Sequence, residues 1–307
     1  MPLAGLGLAA VLALTVAGCG GKGTNVDDAV VVPAPDANLP TTSGTPAPAA
    51  SSGASNSAEA APAATASSAA APAKAGGWGT LKGKVTLKGT APKPKELAPK
   101  GNAAKDPTVC AVDAPILSER LVVDEASKGV KNVLVYLPKP TAVNEEAKSE
   151  SKAAKVVFDQ EKCIFVPHVL GVMTGLTVEL KNSDAANHNI NSRLKNNGFN
   201  KLLSASKQEP LAVSEAERTP GELTCDIHPW MKAYWMVLDN PYFAVTDASG
   251  NYEIKNVPSG AQKVVVWQEA VAPKGFVSAP SGDSVDIKAG DATTKDFVID
   301  AGKLLPD

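Results

Sequence analysis

Cys225-Asp226-Ile227-His228-Pro229-Trp230-Met231 brings a thiol, an imidazole and a thioether into seven residues. The set that copper takes in trigonal sites is one Cys thiolate and two His nitrogens in a plane, with a long, weak axial Met. A C-x-x-H-x-x-M loop supplies three of those four, so the second His has to come from elsewhere. The 307 residues hold three His, at 168, 188 and 228, which leaves two candidates. Zinc also accepts Cys with two His, but its structural sites are normally completed by a further Cys or His rather than by Met.

The flanks of this loop read as strands. Residues 221–224 lead in, and residues 233–238 leave with Tyr, Trp, Met and Val, types that suit a pleated, half-buried surface. Ligands carried between two strands are held rigidly, as a fixed metal geometry requires. Upstream, Leu176, Val178 and Leu180 alternate with Thr177, Glu179 and Lys181, a half-buried strand that runs into Asn182-Ser183-Asp184 and then Asn187-His188-Asn189. Leu81, Gly83, Val85 and Leu87 alternate in the same way with Lys82, Lys84, Thr86 and Lys88. Residues 130–137 are more continuously apolar and read as a more buried strand.

Residues 156–158 and 163–166 read as paired or bent strands, and a meander of short strands follows Asn240-Pro241, with two edge strands expected over 285–299. Residues 92–106 are rich in Pro and Lys and read as loop. Residues 141–155 suit a short exposed helix or a loop equally, and residues 193–216 show no firm period. With no helix of more than a couple of turns required anywhere, the class is all-β sandwich.

The run V-E-L-K-N-S-D-A-A-N-H-N, taken with the C-x-x-H-x-x-M loop, resembles the cupredoxins, and the short spacing with Pro after the second His is most similar to amicyanin. The resemblance implies a Greek-key sandwich over residues 155–240. It implies His188, Cys225, His228 and Met231 as ligands of one type 1 copper, with Asn189 bracing the Cys loop, and the surface edge of His228 as the port for electrons. His168 is expected to be a strand-end imidazole hydrogen-bonded to backbone, with an accessory ligand as the alternative. Trp235 is expected in the core. Trp230 suits either core or a rim for a docking partner, and Asp226 is expected to be solvated and without a role.

Leu81-Lys82-Gly83-Lys84-Val85 and the strand over 129–137, together with Thr246-Asp247-Ala248-Ser249-Gly250-Asn251-Tyr252 and Pro258-Ser259-Gly260, resemble the carboxypeptidase regulatory-like β-sandwich. Two of these pieces precede the copper stretch and two follow it. The expectation is a second, smaller β-sandwich built from residues 77–140 and 241–307, with the copper domain inserted between its strands. Two tandem sandwiches are the alternative.

At the N-terminus, an apolar run ends in Val16-Ala17-Gly18-Cys19, which resembles the lipobox of a bacterial lipoprotein. Residues 1–18 are then a signal peptide and Cys19 the lipidated residue of an exported, envelope-anchored protein, on the periplasmic side or the outer surface. Residues 19–76 are mostly Ala, Pro, Ser and Thr, too poor in large apolar groups to offset chain entropy, and read as a disordered tether to the membrane. With Cys19 lipidated and Cys225 reserved for metal, Cys110 and Cys163 remain as a pair and are expected to form a disulfide in an oxidising compartment.

A formal net charge of −2 with scattered basic residues gives no support for nucleic-acid binding. The sequence has no G-x-S-x-G elbow, H-E-x-x-H helix or phosphate-binding Gly loop. Electron carriage between a redox donor and a redox acceptor is therefore expected rather than catalysis. The alternatives are copper storage or delivery, or a non-redox lipoprotein whose second sandwich binds an envelope glycan or a protein.

Overall fold

A computed structural model describes residues 76–306. The signal-peptide expectation, Cys19 and nearly all of the Ala/Pro/Ser-rich stretch lie outside the described residues.

The described chain is all-β, with one α-helix of nine residues and one short 3-10 turn. Trp78–Lys88 buries Leu81, Val85 and Leu87 on one face, as their alternation with Lys and Thr requires. It pairs antiparallel with Asn251–Pro258. In parallel it meets Ala292–Thr294 and Phe297–Asp300, two short strands at the edge of that sheet, where edge strands were expected. The apolar run over 130–137 is not one strand: Asn132, at φ 62°, separates Val130–Lys131 from Leu134–Tyr136. Leu134–Tyr136 lies between Phe243–Val245 and Gly260–Trp267, and Asp283–Ile287 completes that sheet. The two sheets enclose a core that includes Leu81, Val85, Val133, Val135, Tyr252, Ile254, Val264 and Val266.

Strand partners in this sandwich therefore come from both sides of residues 138–240. The two crossings meet at one place. Leu137 N–H donates to the Tyr242 carbonyl at 3.0 Å, Asn240 Nδ2 donates to the Leu137 carbonyl at 3.1 Å, and the Tyr242 hydroxyl accepts from Asn144 N–H at 2.8 Å.

The Thr-Asp-x-x-Gly hairpin is fixed by its own side chains. Asp247 Oδ1 accepts from the N–H groups of Ser249 and Asn251, and Gly250 takes φ +82°, where a side chain is strained. Thr246 Oγ1 accepts from Val133 N–H at 2.9 Å and donates to the Val130 carbonyl at 2.7 Å, bridging the break at Asn132.

The intervening residues form a second sandwich. One sheet runs Gln208–Ala212, Thr177–Asn182, Val156–Glu161, Ile164–Val166. The other runs Phe199–Leu203, His188–Ser192, Gly221–Thr224, Lys232–Leu238, Val169–Met173. Each sheet contains one parallel pairing, Val156–Glu161 with Thr177–Asn182 and Lys232–Leu238 with Val169–Met173, so the connections cross between sheets as in Greek-key sandwiches. Phe158 sits at the centre, stacked on Phe165 at 5.1 Å and edge-on to Trp235 at 4.9 Å, arrangements that aromatic quadrupoles favour.

Three segments differ from the sequence reading or complete it. Residues 141–155 contain a helix, Glu145–Ala153, capped by Asn144 Oδ1 on Ala147 N–H, with Glu145 and Glu146 at its positive end. The unperiodic residues 193–216 hold two strands whose side chains are largely exposed, so burial imposed little pattern on them. The Pro- and Lys-rich residues 92–106 contain a short strand, Glu96–Ala98, paired with Ile116–Leu117. Ala98, Ala103, Cys110, Ala111 and Ile116 belong to the core of the second sandwich, although they precede it by a full strand pair in sequence.

Replacing Thr246 by Val keeps the shape but strands the buried Val133 N–H. Equilibrium denaturation is expected to show a loss of about 1–3 kcal/mol, against a near-neutral effect for Ser.

Candidate metal centre

The strand His188–Ser192 pairs with Phe199–Leu203 on one side and Gly221–Thr224 on the other, which sets His188 beside the start of the Cys225 loop. That loop is closed by backbone bonds: Met231 N–H donates to the His228 carbonyl at 2.9 Å, and Cys225 N–H to the Met231 carbonyl at 3.3 Å. His188 and His228 are completely buried, and Cys225 and Met231 nearly so.

The ring Nδ1 atoms of His188 and His228 stand 2.9 Å apart, and Cys225 Sγ lies 3.8 Å from His228 Nδ1. All three ligand atoms fall within 4.8 Å of one another. Two ligands bound to one ion through sulfur and nitrogen can be no more than about 4.4 Å apart, so the separations of 2.9 and 3.8 Å suit a shared metal. Met231 is buried in the same core cluster as Cys225. One thiolate, two imidazoles and a thioether are donors suited to copper.

Both rings present Nδ1 because their other nitrogens are occupied. His188 Nε2 meets Asp184 Oδ2 at 2.8 Å, and His228 Nε2 meets Asp106 Oδ2 at 2.9 Å. A neutral imidazole that donates Nε2–H to a carboxylate keeps its Nδ1 lone pair for a metal. Asp184 is itself fixed, since its oxygens accept from Lys162 N–H at 2.7 Å and Cys163 N–H at 2.8 Å. Burial would raise the Asp184 pKa, but the His188 hydrogen bond and these two backbone donors hold it below the usual carboxylate range.

Burial likewise opposes charge on the ligands and is outweighed. The Cys225 thiol, which desolvation would raise, is brought down to about 6 by its hydrogen bonds with His188 and His228 and by backbone donors. His188, which desolvation would lower, is raised to about 9 by Asp184 and Cys225. Without metal, thiolate and imidazolium thus stabilise each other, and a metal would displace the imidazolium proton.

Asn189 sits as a brace. Its Oδ1 accepts from Asp226 N–H at 2.7 Å, and its Nδ2 donates to Asp226 Oδ2 at 2.7 Å and to Asn200 Oδ1 at 2.9 Å. Asp226 was expected to have no role. It instead collects amide groups from Asn191, Asn189 and Asn200, which hold its pKa below the usual range, and so ties the ligand loop to two neighbouring strands. The signal available in the sequence was Asn191, two residues beyond the Asn189 already expected to brace the Cys loop and so on the same face of its strand.

The exposed edge expected at His228 is absent. Its ring is covered by Asp106, from the loop between Glu96–Ala98 and Ile116–Leu117, and by Trp230 at 5.2 Å between ring centres. Trp230 is partly buried and donates Nε1–H to the Cys163 carbonyl at 3.0 Å, and Trp235 is core. Cys110 and Cys163 form a disulfide, which anchors the Asp106 loop. Their sulfurs lie within 4.8 Å of a His228 ring nitrogen.

No protein-family model matches the chain, and no curated protein does. Parts of it are similar to solved copper proteins. The M98A mutant of amicyanin in its Cu(I) form is 21% identical, covering 34% of this chain and 97% of that one, with a TM-score of 0.25. A purple cupredoxin from Nitrosopumilus maritimus is 22% identical over 27% of this chain and 99% of its own, with a TM-score of 0.24. A Cu-containing nitrite reductase from Thermus scotoductus SA-01 is 22% identical over 27% of this chain, with a TM-score of 0.25, and the chain spans 22% of its length.

His168 lies apart from these ligands, and its ring is not held by backbone alone as expected. It is buried where the two sandwiches meet, with Nε2 hydrogen-bonded to the Glu269 carboxylate and Nδ1 3.8 Å from Glu119 Oε2. Both carboxylates come from the first sandwich described, here called the outer one, as against the inner sandwich that carries the ligands, and a buried imidazole beside them is stabilised as a cation. Burial would lower its pKa, but the Glu269 hydrogen bond and charge, with Glu119, raise it above the ordinary value.

The metal-free protein is expected to show the ultraviolet absorbance of a thiolate appearing near pH 6 rather than near the ordinary value of about 8.5, and Cys225→Ser should abolish it. A native His pKa raised above its unfolded value adds stability in full below about pH 6.5 and loses it as pH rises through the native value. The stability difference between wild type and His168→Gln should therefore shrink from acid to alkaline pH in denaturant titrations. A difference that grows with pH would contradict the ion pair.

Proposed function

We propose that this protein is an exported type 1 copper protein that carries single electrons between a redox donor and a redox acceptor. The observation that carries the reading is the buried convergence of Cys225 Sγ with the Nδ1 atoms of His188 and His228, each ring turned inward by a carboxylate on its Nε2. His188, Cys225, His228 and Met231 would hold the ion. Copper supplies the one-electron couple.

The chain's own part is rigidity. His188 is locked by Asp184, and Asp184 by the Lys162 and Cys163 N–H groups. The Cys225 loop is locked to the His188 strand through Asn189 and Asp226. Ligands so constrained move little when the charge at the centre changes, which keeps reorganisation small. The burial of the ligands excludes water, and the described groups around the centre bind and orient rather than transform a substrate. The reading is of carriage rather than catalysis.

The interrupted sandwich is part of the same proposal. We take residues 77–140 and 241–307 as a scaffold that carries the copper domain, and Cys19 as the lipid anchor of a tether that gives the domain reach at the cell envelope.

Purified protein loaded with Cu(II) should show an intense visible thiolate-to-copper band that is lost in Cys225→Ser. His188→Ala should bleach or shift it, whereas His168→Gln should leave it in place. A colourless protein whose unfolding is unchanged by copper would overturn the proposal.

A further inference from the structure

Between Glu96–Ala98 and Ile116–Leu117 the chain makes a closed loop, with Gly101 N–H on the Ala111 carbonyl at 2.8 Å forming its neck. Its apex is a turn at Asp106, whose carbonyl accepts from the N–H groups of Val109 and Cys110 at 2.9 and 2.8 Å. Asp106 takes φ 44°, a conformation that Asp tolerates better than most residues and that here supports the turn. The turn places the Asp106 carboxylate on His228 Nε2.

This loop belongs in sequence to the outer sandwich but is packed into the inner one. Ala103, Cys110 and Ala111 are buried in the core that contains Cys225 and Met231. The Cys110–Cys163 disulfide joins the loop to the hairpin whose Cys163 N–H also holds Asp184. One clasp thus fixes the carboxylates behind both imidazoles. Asp106 is 46% exposed while His228 is 0% exposed, so the carboxylate is the boundary between the imidazole and water.

We propose that residues 99–111 form a disulfide-clasped cap over the metal centre, and that Asp106 is a positioning residue that fixes His228 and sets how tightly the centre holds its metal. The inference rests on the copper reading above. A ligand imidazole whose outer nitrogen donates to a carboxylate is oriented and made more basic, and loss of such a partner costs about 10–100-fold in metal affinity. The cap also shields Cys225 from solutes, and an approaching electron partner meets Asp106 and its loop rather than the bare ring edge.

The test compares full-length wild type, Asp106→Asn, Asp106→Ala and the Cys110→Ser/Cys163→Ser double variant. Copper affinity is measured by chelator competition, the copper potential by redox titration, and Cys225 alkylation in metal-free protein by residue-resolved mass spectrometry. Asp106→Ala is expected to bind copper about 10–100-fold more weakly, to raise the potential by removing electron donation to the oxidised ion, and to speed Cys225 alkylation. Asp106→Asn, whose amide oxygen still accepts from Nε2–H, should fall between. The double variant should be alkylated fastest.

If wild type binds copper and both Asp106 variants stay within twofold of its affinity, the inference is overturned and the copper reading stands. Weakened binding with unchanged Cys225 alkylation in every variant also overturns the cap. A wild-type protein that takes no copper overturns both readings together. Asp106→Asn, a change on an exposed side chain, keeps the test decisive should the double variant not fold.

Discussion

A thiol and two imidazoles can be kept away from water only if each polar atom has a partner, because an unpaired polar group in such a place costs several kcal/mol. The hydrogen bonds from His188 to Asp184 and from His228 to Asp106 meet that requirement on the outer side of each ring. Much else follows from them. The two Nδ1 atoms and the Cys225 sulfur are left facing one another, each favouring charge on its neighbour. Asp184 in turn needs the Lys162 and Cys163 N–H groups, which ties the centre to the tip of the Val156–Glu161 and Ile164–Val166 hairpin. The disulfide at that tip then reaches the loop that delivers Asp106.

Electrostatics of this kind is local, whereas packing spreads it across the molecule. Phe158, Phe165 and Trp235 fill the inner sandwich beneath the ligand strands, and His168 with Glu269 and Glu119 joins that sandwich to the outer one through a buried charged contact. A buried ion pair contributes less to stability than its proximity suggests, since both partners lose hydration. Its value here is specificity: an apolar contact would tolerate sliding between the sandwiches, whereas an imidazole that must meet two carboxylates fixes one arrangement.

How much of this the sequence disclosed depends on whether a residue answers to its neighbours along the chain or across the fold. The alternation of Leu81 to Lys88 and of Leu176 to Lys181 is imposed by a strand with one wet face, and the all-β class follows from it. The spacing of Cys225, His228 and Met231 is likewise local, so the loop declared itself. Edge strands such as Gln208–Ala212 carry almost no buried side chain and left no period to read. Asp106 was beyond reach for a different reason. An exposed Asp in a Pro- and Lys-rich stretch has the same sequence signature whether it faces solvent or a histidine 122 positions away. The Cys110–Cys163 pair was the one long-range hint that the Asp106 loop crosses to the inner sandwich.

The neck where the chain leaves and re-enters the outer sandwich carries a consequence for its engineering. Tyr136 faces Phe243 in antiparallel register, and Leu137 N–H bonds to the Tyr242 carbonyl. These are the pairings of a β-hairpin, here closed by the long segment 138–241 in place of a short turn. Long insertions at such a point cost little extra closure entropy, because that cost grows only with the logarithm of loop length. Closure entropy thus does not oppose a short turn joining Tyr136 to Phe243 in the same register, but such a turn would uncover Leu134, Tyr136, Val265 and Trp267, which pack against Val169, Met236 and Leu238. The 99–111 loop would lose the core it packs into, and Glu119 and Glu269 would lose His168.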